Sequence, residues 1–132
     1  MATARKNSVQ LVHYLRFAVN FNDAGVAAGV KKQTLPAGAL VLRTNVMVKD
    51  VFNAATTNVM TVGLAGVADN LVAAADVSEG ATGLTQNIKP TGTALGPLAA
   101  DSTVTVTYTQ SGTAATTGKA FVVIEYIPDN DL

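Results

Sequence analysis

Cysteine and tryptophan are absent from this 132-residue chain, histidine occurs once, and charged residues make up only 14%. Without cysteine there is no disulfide framework, no thiol nucleophile and no Cys-ligated zinc, and nothing ties the chain to an oxidising or a reducing compartment. The charged fraction lies well below the ~25% usual in soluble domains. Nine Lys and Arg balance nine Asp and Glu, so the basic excess of a nucleic-acid binder is missing. Apolar runs reach about five residues, against the ~20 a helix needs to cross a bilayer. The opening Met1-Ala-Thr-Ala-Arg-Lys-Asn-Ser8 has a basic pair but no apolar stretch, so no secretory leader is expected. The length sits near the modal domain size, and one domain is expected over residues 9–132, after a flexible polar arm at 1–8.

What the chain does have is 18 Val and 17 Thr. Both are stiff at the first side-chain torsion and fit a pleated surface better than a helix. A strand that uses Thr where most proteins place Lys or Glu offers a weakly hydrated face with little like-charge repulsion, which tolerates close packing against another protein.

Alternation is clearest from Val9 to Phe21, where Val9, Leu11, His13, Leu15, Phe17, Val19 and Phe21 share one parity, which predicts a long half-buried strand. Asn22-Asp23-Ala24-Gly25 then supplies turn chemistry. Strands are further expected over 39–48, 59–64, 103–110 and 119–127. The last has apolar residues on both faces, which predicts a central place in a sheet or a covering partner. Asp69 as N-cap followed by Leu71-Val-Ala-Ala-Ala75 predicts a helical turn or two. Residues 76–100 read as one long connection, because Pro90 and Pro97 forbid a central strand there. Six to eight strands with Gly and Pro between them define the expected class: all-β, an antiparallel β-sandwich, jelly-roll-like.

Catalytic chemistry finds no foothold. His13 is the only imidazole, and its parity places it with Leu11 and Leu15, as a neutral ring hydrogen-bonded within or beside the core. No Gly-x-Ser-x-Gly elbow occurs. Asp76 and Glu79 are the nearest carboxylate pair, but three residues apart in a Gly-rich stretch they read as a solvated turn rather than an acid–base pair. Asp69, Asn70 and Asp76 match no calcium loop with a defined ligand order. Gly63-Leu-Ala-Gly66 and Gly92-x-x-x-Gly96 lack the Lys-Ser/Thr of a phosphate loop. No aromatic platform interleaved with basic residues supports single-strand nucleic-acid binding. The expectation is a non-enzyme without catalytic residues, cofactor or metal.

Zero net charge hides an asymmetry. Residues 1–49 carry seven cations against Asp23 alone, whereas residues 50–132 carry eight acids against Lys89 and Lys119. Either the two halves attract one another within one fold, or Arg5, Lys6, Lys31 and Lys32 form a basic arm and loop that docks on an acidic neighbour.

Several segments carry a resemblance. Lys32-Gln-Thr-Leu-Pro-Ala-Gly-Ala-Leu-Val-Leu-Arg43, Thr61-Val-Gly-Leu-Ala-Gly-Val-Ala-Asp69 with Leu71–Val77, Thr103–Thr109 and Thr117–Tyr126 together resemble the head decoration, or cement, proteins of tailed bacteriophages. The likeness spans about residues 32–127 and rests on turn-and-strand patterns without chemistry. It implies a jelly-roll-like protein that binds the outside of the virion capsid, with the major capsid protein and further copies of itself, as dimer or trimer, for partners. It implies host cytoplasm as the place of assembly, with no direct contact to nucleic acid or membrane. Arg5, Lys6, Lys31 and Lys32 are then the candidate capsid contacts. A phage tail or fibre β-domain and a carbohydrate-binding jelly-roll adhesin, using Tyr14, Tyr108 and Tyr126, are the alternatives.

Overall fold

A computed structural model describes residues 10–64 and 66–130. Seven strands form: β1 (His13–Asn20), β2 (Val30–Leu35), β3 (Leu40–Asp50), β4 (Thr57–Gly63), β5 (Gly83–Ile88), β6 (Ser102–Ser111) and β7 (Lys119–Ile127), with one 3₁₀ turn at Gly92–Ala94. They make two antiparallel sheets, four-stranded in the order β1-β7-β3-β5 and three-stranded in the order β2-β6-β4. The result is an all-β sandwich of jelly-roll type, as the alternation predicts.

Each connection carries the chain from one sheet to the other, so no two consecutive strands are hydrogen-bonded neighbours. This is the wrap of a jelly roll, whose full form has eight strands. The eighth position, beside β4, is filled by irregular chain that touches β4 through the lone bridge Val62–Val72. Residues 69–75 are therefore extended and turned, not the helical turn expected from Asp69. Val62 takes the Val72 N–H at 2.9 Å and gives its own to the Val72 carbonyl at 3.1 Å, and such edge pairing outweighs the marginal propensity of a six-residue helix. Gly63 permits this approach: a Cβ there would lie 1.9 Å from the Val67 carbonyl oxygen.

Inward side chains alternate from both sheets into one core. Val46, Val122 and Ile124 of the four-stranded sheet and Met60, Val62, Val104 and Val106 of the three-stranded sheet are all 0% exposed. Phe52 and Tyr108 pack at 4.9 Å between centroids with rings tilted 52°, a geometry that aromatic quadrupoles favour. β7, apolar on both faces, lies between β1 and β3 as its pattern predicts. The 76–100 connection contains β5, an edge strand, which is where proline-flanked chain is tolerated. Thr44 is a misfit in this interior: it is 0% exposed and its Oγ1 has no hydrogen-bond partner among the described residues.

Candidate functional site

Among the described residues no cluster of three or more His, Cys, Asp or Glu could hold a metal ion. The four sheet edges and the two outer sheet faces are what remain to interact with anything.

Edges come first, because an unpaired strand edge invites another chain. Along β4 the outward N–H groups are closed by a different acceptor at each step. Met60 N–H donates to Glu79 Oε1 at 2.8 Å, Val62 to the Val72 carbonyl, and Leu64 to Asn70 Oδ1 at 2.8 Å. Asn70 Nδ2 returns a bond to the Leu64 carbonyl at 3.0 Å and another to Thr93 Oγ1 at 3.0 Å. Glu79 is thus 5% exposed, not part of the solvated turn its Gly-rich surroundings predict. Burial raises its pKa, although the Met60 N–H and its own backbone amide oppose the shift. Tyr108, whose hydroxyl donates to Asn58 Oδ1, is raised by burial and then by the Glu79 charge. Asp76 does a separate job, accepting the Ala73 N–H at 2.8 Å. The paired-carboxylate and calcium options both dissolve into backbone capping.

β1 is guarded from Arg16 onward. Lys32 Nζ donates to the Ala18 carbonyl at 2.9 Å, Gln33 Nε2 to the Arg16 carbonyl at 3.2 Å, and the Asn20 N–H to Asp23 Oδ2 at 2.9 Å. Before that the strand projects: Leu11, Val12 and Tyr14 are 54–66% exposed. His13 goes with them into solvent, contrary to its parity, because the core side chains begin only at Leu15. Its Nδ1 lies 3.0 Å from the Leu11 carbonyl, which makes that nitrogen the donor, and its ring is 5.7 Å from that of Tyr126.

Of the candidate contact residues, Arg5 and Lys6 lie outside the described residues. Lys31 is exposed on β2, an edge strand. Lys32 turns inward, with Asp23 Oδ2 at 3.6 Å and the Phe17 ring at 5.9 Å, and so ties β2 to β1. The two lysines thus separate, Lys31 towards solvent and Lys32 towards Asp23. The charge asymmetry is partly consumed internally: Arg43 Nε meets Glu125 Oε2 at 3.1 Å across the two halves of the sequence.

The outer faces differ sharply. On the three-stranded sheet, register places Lys31 and Thr34 of β2 beside Thr105 and Thr103, and Val59 and Thr61 of β4 beside Thr109 and Thr107. On the four-stranded sheet one row runs Ala18–Phe121–Met47–Leu84 across all four strands. Arg16 and Lys119 both lie over the Phe121 ring, at 5.1 and 5.4 Å. Sequence reading missed this row because its members sit about 30 residues or more apart in every pair of neighbours.

The fold is a jelly-roll-type β-sandwich with two broad outer faces. Two solved structures share that fold over nearly the whole chain. One is a chain of the cyanophage Pam1 capsid asymmetric unit, 20% identical with a TM-score of 0.66, covering 98% of this chain and 93% of that one. The other belongs to the capsid of Ralstonia phage GP4, 15% identical with a TM-score of 0.63, covering 97% of this chain and 92% of that one. No family model and no curated protein matches the sequence.

Proposed function

We propose that this chain is a structural protein of a phage head that binds the outside of the capsid and ties neighbouring major capsid subunits together, without catalysing a reaction. The observation that carries this reading is the end-to-end fold likeness to chains of two phage capsids, each of nearly the same length as this one. A sandwich with closed β4 edge, few charges and two broad faces suits a tie, because a tie needs surface and not a reagent. A modest interface on the order of 800 Å² per partner suffices when attachment at several points multiplies affinity.

The test is binding of the purified protein to empty, expanded heads of the phage that encodes it, prepared without the protein. Saturable binding at a fixed ratio to the major capsid protein, with a rise in head melting temperature, is the expected result. Absence from purified virions together with no binding to such heads overturns the reading; recovery on isolated tails instead moves it to the tail or fibre alternative. Deleting residues 1–8 is expected to weaken head binding more than it lowers the free protein's stability, and unchanged affinity removes the arm from the contact.

A further inference from the structure

Building on that reading, we infer that the outer face of the four-stranded sheet is the capsid-facing surface, and that it seats on an apolar patch of the shell subunit bordered by carboxylates. Four observations converge on this face. The row Ala18–Phe121–Met47–Leu84 crosses all four strands in register, so its side chains form one continuous strip. Met47 is 41% and Leu84 57% exposed, whereas a solvated antiparallel face normally carries polar residues there. A contiguous apolar patch rimmed by polar groups marks a contact surface.

The chemistry of the rim selects the occupant. Arg16 and Lys119 flank the strip with their charges over Phe121, and exposed Lys49 lies two residues beyond Met47 on β3. None of the three has a carboxylate within ion-pair distance among the described residues. Glu125, an acid on β7 four residues beyond Phe121, is already engaged by Arg43 at 3.1 Å and Asn45 at 2.8 Å. Covering the strip would remove these cations from water, and buried charge needs an opposite charge. A partner offering carboxylates around an apolar centre meets that need; a second copy of the same face would oppose cation to cation.

A shallow open groove of about 520 Å³ adjoins the face where the strands end, lined by Phe21, Lys49, Asp50, Gly118 and Lys119 among others. It extends the cationic side of the strip and gives an acidic loop of the partner a place to enter. The opposite outer face offers no comparable centre: along β6 it carries threonines at even spacing, Thr103, Thr105 and Thr107 half-buried and Thr109 exposed.

The test compares head binding by Met47→Glu, Leu84→Glu and Lys49→Glu/Lys119→Glu with that by Thr107→Glu on the opposite face. Unfolding curves accompany each variant, and Leu84→Glu on an exposed edge strand keeps a folded probe of the strip available. The expected result is at least tenfold weaker binding for the first three, near wild-type binding for Thr107→Glu, and wild-type affinity that falls as salt rises. Wild-type binding by the strip variants, or loss confined to Thr107→Glu, overturns the face assignment while the capsid reading stands. Failure of the wild-type protein itself to bind heads removes both. If Met47→Glu dissociates an oligomer of the free chain and leaves head binding intact, the strip is an interface between copies and the assignment is overturned.

Discussion

The two sheets share one core and diverge everywhere else. The three-stranded sheet shows solvent a face of threonines and closes its β4 edge with Glu79, Val72 and Asn70. The four-stranded sheet carries an apolar row with cations on its flanks and has exposed side chains at Leu11, Val12 and Tyr14, at the start of β1. Composition already separates them, with seven threonines in the strands of the three-stranded sheet and two in those of the four-stranded one. They differ further in what covers each surface. The β4 edge of one sheet is closed by its own chain, and the outer face of the other shows solvent Met47 and Leu84.

If the core is common property, truncation should cost the same on either side of it. Ile124→Ala in the four-stranded sheet and Met60→Ala in the three-stranded one remove side chains that are 0% exposed. Each is expected to lower unfolding free energy by about 2–5 kcal/mol, read from urea denaturation. A large loss for one and almost none for the other would break the picture of a single interior.

The guarded edge comes next in magnitude. Glu79→Ala leaves the buried Met60 N–H without an acceptor and is expected to cost about 1–3 kcal/mol, with self-association as a second readout of an opened β4 edge. Glu79→Gln keeps the acceptor and sharpens the test through pH. Burial raises the folded pKa, so the folded protein binds the proton more tightly than the unfolded chain. That contribution is complete below the ordinary carboxylate pKa and is lost as pH rises through the raised value. Stability of wild type relative to Glu79→Gln should therefore fall between mildly acidic and neutral pH. A flat difference across that range would show that the carboxyl is not held as described.

A smaller effect, of opposite sign, belongs to the four-stranded sheet. Thr44→Val replaces the unpartnered hydroxyl by a methyl among apolar neighbours and is expected to stabilise by about 1 kcal/mol in thermal unfolding. Destabilisation would mean that the hydroxyl has a partner after all. Smallest are the outer faces: Thr109→Glu and Leu84→Glu, both at exposed positions, should each shift stability by no more than about 0.5 kcal/mol. The faces are then distinguished by what they bind and not by what they contribute to folding.

Much of the architecture was legible beforehand. Thr103–Gln110 alternates strictly, and Val104, Val106 and Tyr108 are all buried. Lys119–Ile127 is central because it is apolar on both sides. Failures occurred where a local pattern was decided by remote chain. Glu79 looks solvated among glycines, yet its partner Met60 is 19 residues away. His13 keeps the apolar parity of its strand, yet that strand runs past the end of the sandwich before the core begins. Lys32 looks free in a basic pair, yet the Ala18 carbonyl 14 residues back holds it.

Strand positions and inward parity were thus determined by the sequence alone, because side chains alternate with a period of two and that period is written residue by residue. Strand partners, the closing of β4, the burial of Glu79 and the assembly of the Ala18–Leu84 row were decided only by the tertiary structure. Each of them joins segments that switch sheets at every connection, and no neighbouring residue encodes which distant strand will arrive alongside.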